Sequence, residues 1–216
     1  TEDPVEYDIE GIMQIQINSE IGVTFAKSLR AILRQDPDII LIGEIRDLET
    51  LETAIQASLT GHLVLSTLHT NDAPSTITRL IDMDVKPYLI TASLVAVISQ
   101  RLVRKICTGC REEFIPSMKV LEDLEISESE LRGKQFFKGK GCRNCNGTGY
   151  RGRMSILEIM VIDEDIRADI IKQSSSEILR EKARQKGMNT LREAGLNAAY
   201  NGLTTLEEVV RETCSV

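Results

Sequence analysis

The chain has 216 residues, 42% of them hydrophobic and 27% charged, and a net charge of −7. This is ordinary for a globular protein, and the acidic balance argues against broad nucleic-acid affinity, since phosphates require surplus Lys and Arg. No apolar run approaches the ~20 residues that span a bilayer, and no secretory leader precedes the first predicted strand.

The opening "TEDPVEY" reads like the middle of a domain, so the sequence is expected to be a fragment. "GVTFAKSLRAILRQDPD" predicts an amphipathic helix, with Phe25, Leu29, Ile32 and Leu33 on one face and Asp36-Pro37 as its stop. The aliphatic run Ile39–Ile42 follows without alternation, which predicts a strand buried on both faces, as in a parallel sheet covered by helices. Asp47 suits the cap of a helix over 48–60 that buries Leu48, Leu51, Ile55 and Leu59 and ends at Gly61. A second buried strand is predicted over 63–67. Asn71, Asp72 and Pro74 then start a helix, another covers 87–98, and "QRLVRKI" gives a strand. This alternation predicts an α/β domain with a mainly parallel sheet.

From Cys107 the character changes. Residues 107–150 hold four paired Cys and six of the 14 Gly, around a charged, weakly periodic stretch. "RMSILEIMVI" predicts one more strand, and the remainder reads as helical. Ser174 with Glu177, Thr190 with Glu193 and Thr204 with Glu207 each fit a capping box, while Gly187 and Gly202 stand where helices should end. The expected organisation is thus a core over 1–106, a four-Cys subdomain over 107–150, and a strand plus helical region over 151–216.

Cys107 and Cys110 form one C-x-x-C pair, and Cys142 and Cys145 form another, 32 positions on from Cys110. Two such pairs on turns supply four thiolates to one tetrahedral Zn²⁺, and Gly109, Gly141 and Gly147 suit those turns. Redox use fits less well, since a redox pair opens a helix after a strand and a second pair would be redundant. A closed four-Cys site leaves no open position for substrate, so its expected role is structural. "GTGYRG" matches G-x-G-x-x-G but follows a Cys pair rather than a strand, and carries no nucleotide reading. Cys214 reads as an ordinary thiol.

Three polar clusters fall at expected strand ends: "TEDPVEY", "GEIRD" and "STLHTND". Ligands of parallel α/β sheets bind outside the carboxyl ends of the strands, so Glu2, Asp3, Glu6, Glu44 and His69 are expected to face one cleft. Acids there can hold Mg²⁺ through water and accept a proton from a nucleophilic water. His69 could hydrogen-bond a phosphate oxygen. A plainer reading stays open at this point: Glu44 pairs with Arg46 or a neighbouring helix, His62 is structural, and His69 is a loop hydrogen-bonder. No G-x-x-x-x-G-K-[ST] phosphate loop occurs in the sequence.

These motifs resemble those of a known family. "TEDPVEY" is similar to the acidic box, "DPDIILIGEIRD" to the Walker B segment, "TGHLVLSTLHTND" to the His box and "CTGC…CRNCNGTGYRGR" to the four-Cys element of the secretion ATPases that drive type II secretion and type IV pilus assembly. The resemblance covers the C-terminal part of such proteins. It implies a partial RecA-like P-loop NTPase core, bound ATP and Mg²⁺, and a homo-hexameric ring at the cytoplasmic face of the bacterial inner membrane. Partners would be an inner-membrane platform protein and an adaptor of the machine, with only peripheral membrane association. It implies Glu44 as the Walker B acid, Glu6 with Asp3 and Glu2 in the acidic box, His69 as the γ-phosphate sensor and His62 as an accessory. Glu6 and Glu44 compete for the role of general base.

The family's phosphate loop and N-terminal domain do not occur in these residues, so the chain alone is expected neither to bind ATP tightly nor to hydrolyse it. Two other readings are a zinc-binding adaptor without activity, because "CRNCNGTGY" resembles one C-x-x-C-x-G-x-G repeat, and a degenerate NTPase acting as a scaffold.

Overall fold

A computed structural model describes residues 1–124, 126 and 133–214. The chain forms two compact units, one of residues 1–97 and 161–181, the other of 98–160 and 182–216. The expected boundaries at 106/107 and 150/151 both fall within the second unit.

In the first unit, helix α1 (Phe25–Ile32) starts at Thr24, whose side chain accepts from the Lys27 N–H. Strand β1 (Ile39–Ile42) pairs in parallel with β2 (Leu63–Ser66), with Ile39 opposite Leu63 and Leu41 opposite Leu65. Helix α2 (Leu48–Leu59) joins them and is capped by Asp47, whose Oδ1 accepts from Thr50 N–H at 2.8 Å. Its buried stripe is Thr50, Leu51, Thr53, Ala54, Ile55 and Ala57. Leu48 and Leu59, expected inside, are exposed. The small residues of the stripe let α2 lie close, so its inner face is narrower than a leucine count suggests.

The two-sided burial expected of β1 is also corrected. Ile40 and Ile42 are buried, but Ile39 is 63% and Leu41 50% exposed, and their register partners Leu63 and Leu65 are exposed as well. An all-aliphatic run has no alternation to mark which face is covered, and among the described residues only one face of this ribbon is.

Helices α3 (Ala73–Asp82) and α4 (Pro87–Ser93) follow, and α6 (Glu164–Ile171) packs against α4. Ile77, Ile90, Ile166, Ile170 and Leu179 are buried. The predicted helix over 87–98 ends at Ser93, and β3 (Ala96–Ile106) begins earlier than "QRLVRKI". The run of Val95, Val97 and Ile98 explains this, because β-branched side chains lose rotamer freedom in a helix and suit a strand.

In the second unit β3 hydrogen-bonds to β6 (Tyr150–Val161), and β4 (Arg111–Phe114) pairs antiparallel with β5 (Phe136–Gly139). The short helix α5 (Met118–Asp123) lies between β4 and β5 in sequence. Its Leu121, with Leu124 and Phe136, packs against Ala199, Leu206 and Val209 of α8 (Leu191–Tyr200) and α9 (Leu206–Thr213). Gly195 allows this helix pair to close, since a Cβ there would stand 2.8 Å from a Val209 methyl.

The three helix starts have two outcomes. Thr190 and Glu193 form the expected capping box. The other two shift by one residue: Ser175, not Ser174, stands at the start of α7 (Ser176–Gln185), where its carbonyl accepts from Leu179 N–H, and Thr205, not Thr204, caps α9. Thr204 instead donates its hydroxyl to Arg104 O, and Glu208 is drawn to Arg104, so the tertiary bonds choose between adjacent candidates.

Candidate functional site

The first unit builds its polar cluster at the carboxyl end of β1. Thr1 donates to Leu41 O and accepts from Gly43 N–H, which lays the acidic segment beside the strand. Gly43 permits this approach: a Cβ there would meet Thr1 O at 3.1 Å. On the other side, Thr67 Oγ1 donates to Gly43 O at 2.7 Å and Ile45 N–H donates to Thr67 O at 3.0 Å, bringing the loop after β2 alongside.

Glu44 emerges from this join with only 16% of its side chain exposed. Its Oε1 accepts from Arg46 Nη2 at 2.6 Å, and its Oε2 is 3.0 Å from His69 Nε2. The Arg46 hydrogen bond first, and the His69 bond second, hold the Glu44 carboxyl below its ordinary range, so it is an anion with both oxygens engaged. The His69 ring is otherwise open, with 87% of its side chain exposed. Glu44 and His69 are therefore brought together.

The acidic-box residues are placed differently from one another. Asp3 Oδ2 lies 4.0 Å from Arg46 Nη1. Glu2 accepts from Gln14 Nε2 at 2.8 Å. Glu6 is exposed, and among the described residues no hydrogen bond or ion pair links it to Glu44 or His69. His62 stands elsewhere, at the end of α2, where its Nδ1 donates to Ala57 O at 2.9 Å.

Arg46 is the residue that sequence reasoning undervalued. From the sequence it stands only as a plain partner for Glu44. Extended backbone puts residues i and i+2 on one side, and that spacing was the available signal.

The second unit gathers the four Cys. Cys107 follows β3, Cys110 precedes β4, and Cys142 and Cys145 bracket a 3-10 turn after β5. Their sulfurs all lie within 4.8 Å of one another. Three separations are 3.8 Å (Cys107–Cys142), 3.8 Å (Cys110–Cys145) and 3.7 Å (Cys142–Cys145). Zn–S bonds of about 2.3 Å imply tetrahedron edges of about 3.8 Å, so the sulfur cage fits that ion.

Two N–H groups, from Cys142 at 3.1 Å and Gly149 at 3.3 Å, point at the Cys145 sulfur. Burial pushes the Cys110 thiol up to about 12. Burial acts the same way on Cys145, but those N–H groups outweigh it and draw the thiol down to about 6. Gly139 and Gly149 bring the hairpin against the turn so closely that a Cβ on either would overlap the other's backbone. Of the glycines of "GTGYRG", Gly149 thus serves close packing, while Gly147 and Gly152 have open space and left-handed backbone.

The matrix around this centre is tied to the C-terminal helices. Ile106 N–H donates to Leu203 O, Cys107 N–H to Gly149 O, and Tyr150 OH lies 3.0 Å from Thr205 Oγ1.

The model of the Type II/IV secretion system protein family matches residues 1–211. The type IV pilus assembly ATPase PilB of Thermus thermophilus is 55% identical over 212 residues, which are 98% of this chain and 24% of that protein. The type II secretion system protein HxcR of Pseudomonas aeruginosa is 53% identical, covering 98% of this chain and 41% of its own length. Type II secretion system protein E of Aeromonas hydrophila is 48% identical, with 98% and 42% covered. The chain thus spans less than half the length of these relatives. Among solved structures, the pilus retraction motor PilT with bound ADP superposes with a TM-score of 0.67 at 30% identity, over 98% of this chain and 50% of that one.

Proposed function

Because the chain belongs to the type II/IV secretion system protein family, we propose that it supplies the water-activating side of an ATP-hydrolysing site in a motor for pilus assembly or type II secretion. The observation that carries this reading is the Glu44–His69 contact of 3.0 Å at the end of β1. A strand-end carboxylate held as an anion can accept a proton from water, and a histidine beside it can bond a phosphate oxygen. Glu2 lies on the segment next to Glu44 and would serve Mg²⁺ through water. ATP and Mg²⁺ would supply the scissile phosphoanhydride and its charge neutralisation.

Glu6 stands apart from Glu44 in this chain, which favours Glu44 as the base over Glu6. His62 is engaged at a helix end and is assigned no step. The four Cys would hold zinc as a closed structural centre. The whole protein is proposed to act as a homo-hexamer at the cytoplasmic face of the inner membrane, against a platform protein and an adaptor. Among the described residues no helix is long and apolar enough to cross a membrane.

The residues 1–106 would carry the motor chemistry, 107–150 the zinc element, and 151–216 its helical support. The test is ATP turnover by the full-length protein that contains this chain. Glu44→Gln is expected to lower kcat by about 100-fold or more. Turnover unchanged in that variant would overturn the reading.

A further inference from the structure

The cluster contains one side chain whose position the reaction alone does not explain. Arg46 donates to Glu44 Oε1 at 2.6 Å, while its other terminal nitrogen lies 4.0 Å from Asp3 Oδ2. The Arg46 side chain is 62% exposed and Asp3 41%, so both have room to move. Glu44 is the opposite case, with little exposure and both oxygens engaged by Arg46 and His69. A carboxylate clamped by a guanidinium on one oxygen and an imidazole on the other is well oriented. It is also a poor proton acceptor, since the cation favours the anionic form.

The charged groups around this point are few. Glu44 faces Arg46 and His69; Arg46 faces Glu44 and Asp3; Glu2, one residue away, is occupied by Gln14. Asp3 is therefore the second acceptor within reach of the guanidinium. Moving Arg46 from Glu44 to Asp3 exchanges one ion pair for another, which keeps the charge balance while freeing a Glu44 oxygen.

We propose that Arg46 is a positioning residue that clamps Glu44 and hands over to Asp3 to free a Glu44 oxygen for the attacking water. This rests on the reading of Glu44 as a hydrolytic residue. Asp3 then acts by receiving Arg46, rather than by holding Mg²⁺. No bond to substrate is made or broken in the transfer; only the donor set of Glu44 changes.

The experiment is a double-mutant cycle in the full-length protein with Asp3→Asn, Arg46→Gln and both together, alongside Glu44→Gln. Asp3→Asn should lower kcat about tenfold with KM for ATP nearly unchanged, because the clamp can no longer release. In the Arg46→Gln background the same change should add less than about twofold, since there is no clamp left to release. In an Arg46→Lys background, which keeps a movable cation, part of the Asp3→Asn effect should return.

Equal effects of Asp3→Asn in both backgrounds would overturn the transfer and assign Asp3 a direct role. If Glu44→Gln leaves turnover intact, the underlying reading falls with it; if Glu44→Gln abolishes turnover while the cycle is additive, only the transfer falls. A structure with an ATP analogue gives a second readout. Arg46 is expected within hydrogen-bonding distance of Asp3 and off Glu44; Arg46 still on Glu44, or on the phosphates, would refute the proposal.

Discussion

Glu208 and Arg104, 104 residues apart in sequence, meet through two hydrogen bonds: Arg104 N–H to Glu208 Oε2 at 3.0 Å and Arg104 Nη2 to Oε1 at 2.5 Å. Arg211 adds a third at 2.9 Å, and the Arg104 guanidinium lies 4.1 Å from the Tyr150 ring centre. Glu208 is almost fully buried, with 2% of its side chain exposed. Burial of an unpaired carboxylate is costly, so the arginines make this position tenable.

Glu208→Gln is expected to destabilise the second unit by about 2–3 kcal/mol, the figure reduced because Arg104 is half exposed. The pH dependence has a definite sign. Burial raises the Glu208 carboxyl, but the Arg104 bonds outweigh it and leave the folded value below the ordinary 4.5. The stabilisation is therefore fully present above 4.5 and is lost as pH falls through the lowered folded value. Thermal melts should converge for the parent chain and Glu208→Gln as pH drops below that range.

Metal analysis of the chain purified without chelator should find about one zinc per chain. Removing it should leave four thiolate-capable sulfurs crowded together, and the hydrogen-exchange protection of 107–114 and 136–150 should fall. Protection in β1 and β2 of the first unit should change little. Cys110→Ser is expected to lose zinc, with a lower melting temperature.

Gly149→Ala tests the close approach at the hairpin. The position has φ +77 and its new Cβ would run into Gly139. The cost is expected at about 2 kcal/mol or more, from left-handed backbone strain plus displacement of the partner strand. Gly147→Ala, with φ +78 and open space around it, should cost less, about 1 kcal/mol. Chemical denaturation of the two variants separates packing from backbone strain.

The chain by itself is expected to show no ATP turnover. No Gly-rich phosphate loop lies in its sequence, and without such amides and a lysine the β- and γ-phosphates lack a cradle. Calorimetric titration with Mg·ATP should give no saturable heat at micromolar concentrations. Turnover by this chain that Glu44→Gln abolishes would contradict the expectation.

Much of this architecture could be read from the residues because local chemistry was unambiguous. Asp47, Asp72 and Thr190 precede apolar periodicity, and the side chain of each accepts a backbone N–H at a helix start. The paired Cys spacing predicted four sulfurs in one place, and they are within 4.8 Å. Where two equivalent residues were adjacent, as at Ser174-Ser175 and Thr204-Thr205, spacing could not choose, and tertiary bonds did. The β4–β5 hairpin was illegible because Arg111, Glu112 and Glu113 do not look like strand residues. Arg111 stacks over Phe137 at 3.7 Å and Lys138 over Phe114 at 4.6 Å, so cross-strand cation–π contacts stand in for the usual aliphatic pattern. The Glu44–His69 contact was legible only as two strand ends converging, whereas the Glu44–Arg46 pair was one of the open readings of the sequence.

The aliphatic face made by Ile39, Leu41, Leu63 and Leu65 has a consequence for handling the chain in solution. A contiguous greasy strip on a short parallel ribbon is adhesive. Pairing of two copies across it is an expected outcome, giving a particle that grows with protein concentration and shrinks with mild detergent. Sedimentation or light scattering of this chain will therefore report stickiness of that strip.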